Sequence, residues 1–385
     1  MTTQKNILIF LPWVQLSQPL SIRGIHFTPY PSNASSNIFN EFQDDIVKTL
    51  KSYRNIQGKP ITKCVLVYLD KTAPCKALSD KEISLIHETV QLLAFCALSK
   101  NEYFSQGSHY ANYSMFESFF QCLNHEDKWV TLTSRRRAYK HEEVFFSVPV
   151  QCASQTKLCR VEAPLLKALN LSFEAPDNQV RRLLQSISLY DQAHTDSNTV
   201  LPQREVVVLA SAFEQLFEKC EGADGLACKL GTHLDNYGSL ESSKSCRAKD
   251  FKFPEDPKKN KKESKWFLHQ KWIQEFYQLR NDFTHGNDPK QRTWGWSMHE
   301  HLVMASFVFP LLVKLLLTQN SAYQLTEDDI GLLHAVDLLL DQKNWGEDDI
   351  KENCLSNWQS ITRKTKDKCS LDFAWEKFNK NKVDH

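Results

Sequence analysis

Glycine is scarce, with 11 in 385 residues, and those present are dispersed. No P-loop run (Gly, four residues, then Gly-Lys-Ser/Thr) occurs, so no backbone cradle for nucleotide phosphates is expected and an ATP-driven function is disfavoured. Charge of one sign is lacking as well. The 47 Lys and Arg stand against 46 Asp and Glu, a formal net charge of +1. Any affinity for nucleic acid must therefore come from local basic patches and not from the field of the whole molecule. The eleven cysteines are odd in number, scattered, and include no CxxC pair. That usage suits reduced thiols in a cytosolic protein better than a disulfide framework. Residues 1–6 lead straight into a strand-like run, with no segment of the secretory type. The most apolar stretch, Leu302 to Leu317, is shorter than the roughly 20 residues of a spanning helix and carries Lys314. It reads as a buried core helix, and the chain as a soluble, cytoplasmic protein with no membrane partner.

What is present is a globular, helix-rich composition, 41% hydrophobic and 24% charged. Residues 1–165 read as a mixed α/β domain. Ile7–Trp13, Ile61–Asp70, Trp129–Thr133 and Val144–Val150 are short runs of β-branched and aromatic residues bounded by turn-formers. Between them Ile83, Ile86, Val90, Leu93 and Ala94 recur at helical spacing, with Asp80 as the expected N-cap. Ser32 to Ser36 reads as a loop.

From about Asp177 the period becomes helical. One stripe is Val180, Leu183, Leu184, Ile187 and Tyr190, and a second runs from Val206 through Leu209, Ala210, Phe213, Leu216 and Phe217 to Cys220. A polar insertion is expected over residues 221–264; its later part, Glu241 to Lys265, holds nine Lys/Arg against five Asp/Glu. A third helix carries Leu268, Trp272, Phe276, Leu279 and Phe283 on one face and stops at Gly286. A fourth, about Met298 to Leu317, is apolar nearly all round and contains Pro310, where a bend is expected. Thr326-Glu327-Asp328-Asp329 then opens a further helix, and a lysine-rich tail follows from about Gly346. The expected fold class is α+β: residues 1–165 mixed α/β, 176–320 an all-α four-helix bundle, and 321–385 a helical C-terminal extension.

Chemistry is densest at Arg280-Asn281-Asp282-Phe283-Thr284-His285-Gly286, the end of the third helix. Cleaving RNA without a metal needs a base for the ribose 2′-hydroxyl, an acid for the leaving 5′-oxygen, and a cation for the phosphoryl oxygens. Arginine suits the third role through bidentate contact with phosphate. Histidine suits the proton transfers, and a helix C-terminus favours positive charge, which fits a proton donor. Five residues along a helix turn through roughly 140°. Within one regular helix Arg280 and His285 would not share a face. Either the last turn is distorted toward Gly286, or two copies meet at a composite site.

The arrangement resembles the HEPN superfamily, most of all its Apea-like branch. Those domains are all-α bundles with an Arg-X4–6-His motif and a polar residue directly after the arginine, a place held here by Asn281. The phrase Phe276 to Gly286 (FYQLRNDFTHG) resembles that branch's approach and exit. Leu209 to Glu218 (LASAFEQLFE) resembles its second helix, with Glu214 in the acidic position, and the apolar helix through Leu317 its closing helix. The resemblance covers about residues 176–320. It implies a homodimer whose facing motifs form a metal-independent endoribonuclease site, with Arg280 and His285 catalytic, Asn281 supporting, RNA as substrate, and no cofactor. It further suggests a regulated effector in bacterial phage defence or abortive infection. The N-terminal part is faintly similar to the sensing regions attached to such domains, where a phage-derived or protein trigger would bind. Two other readings stay open: a catalytically silent HEPN module for dimerisation or docking, and a toxin masked by a cognate antitoxin.

Competing readings attach to several of these residues. Glu214 orients the arginine or is an ordinary polar flank position. Lys258 to Lys262 steer phosphates or form a solvated loop, and Arg135-Arg136-Arg137 with Lys140 and His141 is an RNA-binding or merely charged turn. Cys220, Cys228, His233 and Cys246 lack the tight pairing of structural zinc sites, and His299-Glu300-His301 has the wrong spacing for HExxH, so no metal is expected.

Overall fold

The computed structural model describes residues 6–31, 38–55, 57–105, 107–123, 130–134, 141–145, 157–174, 178–195, 201–218, 222–245, 247, 266–342 and 357–383. The chain forms two compact units, one from Met1–Leu98 and Asn112–Leu166, the other from Ser99–Ala111 and Lys167–His385. A mixed α/β unit followed by a mostly helical one makes the fold α+β.

The first unit is built on a seven-stranded sheet in which every pairing is antiparallel. Its strands are β1 (Asn6–Leu11), β3 (Leu20–Ile22), β4 (Ile25–Tyr30), β5 (Cys64–Tyr68), β8 (Phe119–Leu123), β9 (Val130–Ser134) and β10 (His141–Phe145), in the order β10-β9-β8-β1-β5-β4-β3. Apart from it, β2 (Val14–Leu16) pairs in parallel with β11 (Lys157–Cys159), and in the second unit β6 (Phe104–Ser105) pairs antiparallel with β7 (Ser108–His109). The sequences of β1 and β5 are near-continuous apolar runs because both lie mid-sheet. All five residues of β5 are buried, as are Ile7 to Leu11 of β1. The strand β4 contains Pro29, which argues against a strand in sequence. It is tolerated because β3 pairs only with Ile25 to Phe27, leaving Pro29 beyond the end of that ladder. The helices of this unit are α1 (Gln43–Leu50) and α2 (Asp80–Leu98), and α3 (Ala163–Glu174) starts in it.

The expected Asp80 cap of α2 is corrected. Ser79 accepts a hydrogen bond from the Glu82 backbone N–H, and Glu82 accepts from the Ser79 N–H (2.8 Å) and hydroxyl (2.9 Å). This reciprocal box satisfies two N–H groups, where an Asp80 cap would satisfy one. These bonds from Ser79, with one from Lys76, hold the Glu82 carboxyl at about 2, well below the usual range. Ser32 to Ser36, Trp129 and residues 146–150 lie outside the described residues, as do Arg135 to Arg137, Lys140 and Lys258 to Lys262.

In the second unit, α4 (Asn178–Ala193), α5 (Pro202–Leu216), α7 (Leu268–His285) and α8 (Met298–Gln319) correspond to the four expected helices. A further one stands where only a polar insertion was expected. This α6 (Gly222–Leu234) buries Leu226, Ala227, Leu230 and Leu234 and packs against α7. Its stripe is short and its sequence, GADGLACKLGTHL, carries three glycines of poor helix propensity. Packing on α7 supplies what propensity does not. Gly231 makes the close approach, because a Cβ there would lie 2.3 Å from the Gln270 side-chain nitrogen. After α8 come α9 (Glu327–Leu340), opened by the expected Thr326–Asp329 box, and α10 (Asn357–Val383). The lysine-rich tail is thus a helix over most of its length, placing Trp358, Thr362, Thr365 and Cys369 on one buried face.

The core helix is α8. It is long and apolar enough to cross a membrane by length and composition alone, yet 89% of its apolar window is buried within the protein. It runs unbroken through Pro310, which has no N–H for the Ser306 carbonyl four residues back. Tyr190 of α4 donates its hydroxyl to that carbonyl (2.8 Å), and its ring stacks on Phe309 (4.6 Å). The proline's vacancy in the helix ladder is filled from a neighbouring helix. Beside it, His194 makes hydrogen bonds with the Ser306 hydroxyl and the Tyr190 carbonyl, and burial pushes its imidazole down to about 4.

Candidate active site

The end of α7 is fixed from within the chain. Gly286 adopts the left-handed conformation (φ +72°), and its N–H and that of Asn287 both take the Asp282 carbonyl. Open space surrounds Gly286, so its backbone angle, not crowding, calls for glycine. The helix stays helical through His285, so the distortion that would bring Arg280 and His285 onto one face is not there. The two side chains point roughly 140° apart.

Arg280 lies against α5. Its Nη2 donates to Glu214 Oε2 (3.2 Å), its Nη1 to Asn281 Oδ1 (2.9 Å), and its guanidinium stacks over the Tyr277 ring at 5.1 Å. Tyr277 donates its hydroxyl to the other Glu214 oxygen (2.7 Å). Glu214 is therefore no idle flank residue: Arg280 and Tyr277 share its two oxygens. The Arg280 Nε is buried and makes no hydrogen bond. Since the pair is only about three-quarters buried, solvent weakens it, and its worth is geometric more than energetic. Asn281 stands beside Arg280 as expected, as an acceptor for it.

His285 is exposed, and among the described residues its ring makes no hydrogen bond. One chain thus presents a guanidinium held in place and an imidazole open to solvent on another side of the same helix. It does not bring the two together.

The segment after His285 is tied back to α7 at two points. Asp282 is almost fully buried; its Oδ1 accepts a hydrogen bond from Asn287 Nδ2 (3.2 Å) and forms an ion pair with Arg292 Nη2 (3.2 Å), while its Oδ2 has no hydrogen-bond partner. Two turns earlier Glu275, fully buried, accepts from the Gly295 and Trp296 N–H groups (3.0 Å each) and lies 3.1 Å from His301 Nε2. Arg247 adds a bond to the Gly295 carbonyl and an ion pair with Glu300 at 2.6 Å. Burial opposes ionisation of Glu300, but the bonds from Arg247 and Ser297 outweigh it and hold its carboxyl low.

His299-Glu300-His301 divides between an exposed His299, the Glu300 that caps α8 with Ser297, and a buried His301. His233 stacks on Phe217 (5.2 Å) and meets Gln319 Nε2 (3.1 Å). Cys228 is an exposed free thiol, while Cys220 and Cys246 lie outside the described residues. Among the described residues no group of three or more His, Cys, Asp or Glu could hold a metal ion.

Sequence reasoning missed Tyr277, Asp282 and Arg292 as neighbours of the motif. Tyr277 sits three positions before Arg280, a spacing that puts both on one helix face, so it could have been found. The Arg292–Asp282 pair depends on a loop path that no local pattern encodes. No protein family, no curated protein and no solved structure matches the chain.

Proposed function

We propose that the chain is a metal-independent endoribonuclease whose site is completed by a second copy of itself. The observation that carries the reading is the division of labour on α7: Arg280 fixed by Glu214, Tyr277 and Asn281, and His285 exposed at a capped helix end. An isologous contact between two such helix ends would set each arginine beside the other copy's histidine. There Arg280 stabilises charge on the phosphoryl oxygens. One His285 takes the proton of the ribose 2′-hydroxyl, whose oxygen attacks phosphorus. The other copy's His285 gives a proton to the leaving 5′-oxygen, and the products are a 2′,3′-cyclic phosphate and a 5′-hydroxyl. The cysteine usage gives the setting as cytoplasmic, and the resemblance to HEPN domains gives the strand-rich unit as sensor and the nuclease as a regulated effector of bacterial phage defence.

The test is cleavage of an RNA pool by purified protein in excess EDTA, with end-group analysis. The expected result is cyclic-phosphate ends from the wild type. Arg280→Ala and His285→Ala, with unchanged circular dichroism, are expected to lose about 100-fold or more. The competing reading is a silent docking module, favoured by the Arg280–Glu214 pair, which already engages the guanidinium. Folded dimers that cleave no RNA would support it.

A further inference from the structure

Arg292 places a cation on the face of α7 that carries Asp282. Asp282 and His285 lie three residues apart, one above the other on a single helix face. Arg292 reaches that face from the following loop, with its Nη2 3.2 Å from Asp282 Oδ1. Arg280 faces away and is engaged by Glu214. Arg292 is also only half buried, and its guanidinium lies 5.9 Å from the Trp294 ring centre. A guanidinium carries five donors, and the contact with Asp282 engages only its Nη2 end, as an ion pair.

The loop holds Arg292 in place. Asp282 is buried with its second oxygen unpartnered, Trp294 donates its indole N–H to the Pro289 carbonyl (2.8 Å), and Glu275 anchors the loop's far end. Nearby charge is mixed: Arg292 and Lys290 stand beside Asp282 and Asp288. Lys290 is exposed, and the Asp288 carboxylate accepts the Lys290 backbone N–H.

We propose that Arg292 is an RNA-binding residue that grips a backbone phosphate on the His285 side of the site, with Asp282 as its positioning residue. The inference rests on the ribonuclease reading and deepens it: the substrate is a single strand whose backbone crosses from Arg292 past His285. Arg280 of the second copy then meets the scissile phosphate, and Arg292 its neighbour along the strand.

The test uses the full chain carrying His285→Ala, so that RNA survives, and a fluorescein-labelled single-stranded oligouridine read by anisotropy across a range of NaCl concentrations. Each phosphate contact to a single strand contributes about 0.7 to the slope of log affinity against log salt. Adding Arg292→Ala is expected to lower that slope by about 0.7 per chain, whereas Arg292→Lys keeps it. A purely structural role for the Asp282 pair would weaken binding without changing the slope. An unchanged slope in Arg292→Ala overturns the proposal, as does absence of binding at low salt. The cleavage assay separates the two claims. Cleavage with an unchanged slope leaves the nuclease standing and removes Arg292. An Arg292-dependent slope without cleavage keeps Arg292 as an RNA contact and removes the nuclease.

Discussion

Replacing Tyr190 by Phe deletes one oxygen from the centre of the helical unit, and its cost should depend on Pro310. The hydroxyl donates to the Ser306 carbonyl, which Pro310 leaves without its helical partner. With the hydroxyl gone, a buried carbonyl is unsatisfied, at about 1–3 kcal/mol. The ring stack on Phe309 survives the change, so packing adds little. Pro310→Ala restores an N–H at position 310 that can close the bond to Ser306. In that background Tyr190→Phe should cost about 1 kcal/mol less, a coupling that a double-mutant cycle isolates. Hydrogen exchange of the α8 amides reads the local opening free energy in all four proteins, without assuming that the two units unfold together. Equal costs of Tyr190→Phe in the two backgrounds would refute the argument that the tyrosine exists to answer the proline.

Two further outcomes follow from packing and burial. Burial lowers the His194 pKa from the ordinary 6.5 to about 4, so the fold keeps this ring neutral where the unfolded chain would bind a proton. The stability this contributes is complete above about pH 6.5 and is lost as pH falls toward 4, up to about 3 kcal/mol; His194→Gln should flatten that part of the curve of melting temperature against pH, and an identical curve would contradict it. A Cβ at Gly331 of α9 would lie 2.7 Å from the Lys366 Cα of α10. Gly331→Ala should therefore speed exchange of α10 amides despite alanine's better helix propensity of about 1 kcal/mol; unchanged or slower exchange would contradict it.

Much of this fold was legible locally. The apolar runs of β1 and β5, the stripes of α4, α5 and α7, and the Thr326 box each follow from a period or a short capping pattern. The Ser79–Glu82 box is equally legible in Ser-x-x-Glu, where the adjacent Asp80 offers a competing cap in sequence. What escaped depended on distance along the chain. The strand β4 hides behind Pro29, acceptable only because β3 is short. The glycine-rich α6 needs α7 to hold it helical. At the site, the place of Arg280 and His285 on one helix, their separation around it and the stop at Gly286 could all be read in sequence. Glu214, 66 residues from Arg280, could be noticed but not assigned until α5 and α7 were seen packed together. Arg292 could not be read at all, because nothing in a loop sequence says that it folds back onto Asp282.

The central claim is that two chains make one site, and poisoning by an inactive chain tests it most directly. Wild-type protein is co-refolded with a threefold excess of the Arg280→Ala/His285→Ala chain, and cleavage per wild-type chain is measured in EDTA. If each site needs both copies, only wild-type pairs are active, and cleavage per wild-type chain falls to about one quarter. Undiminished cleavage per wild-type chain, with mixed dimers present, would show that each chain carries its own site and would contradict the account.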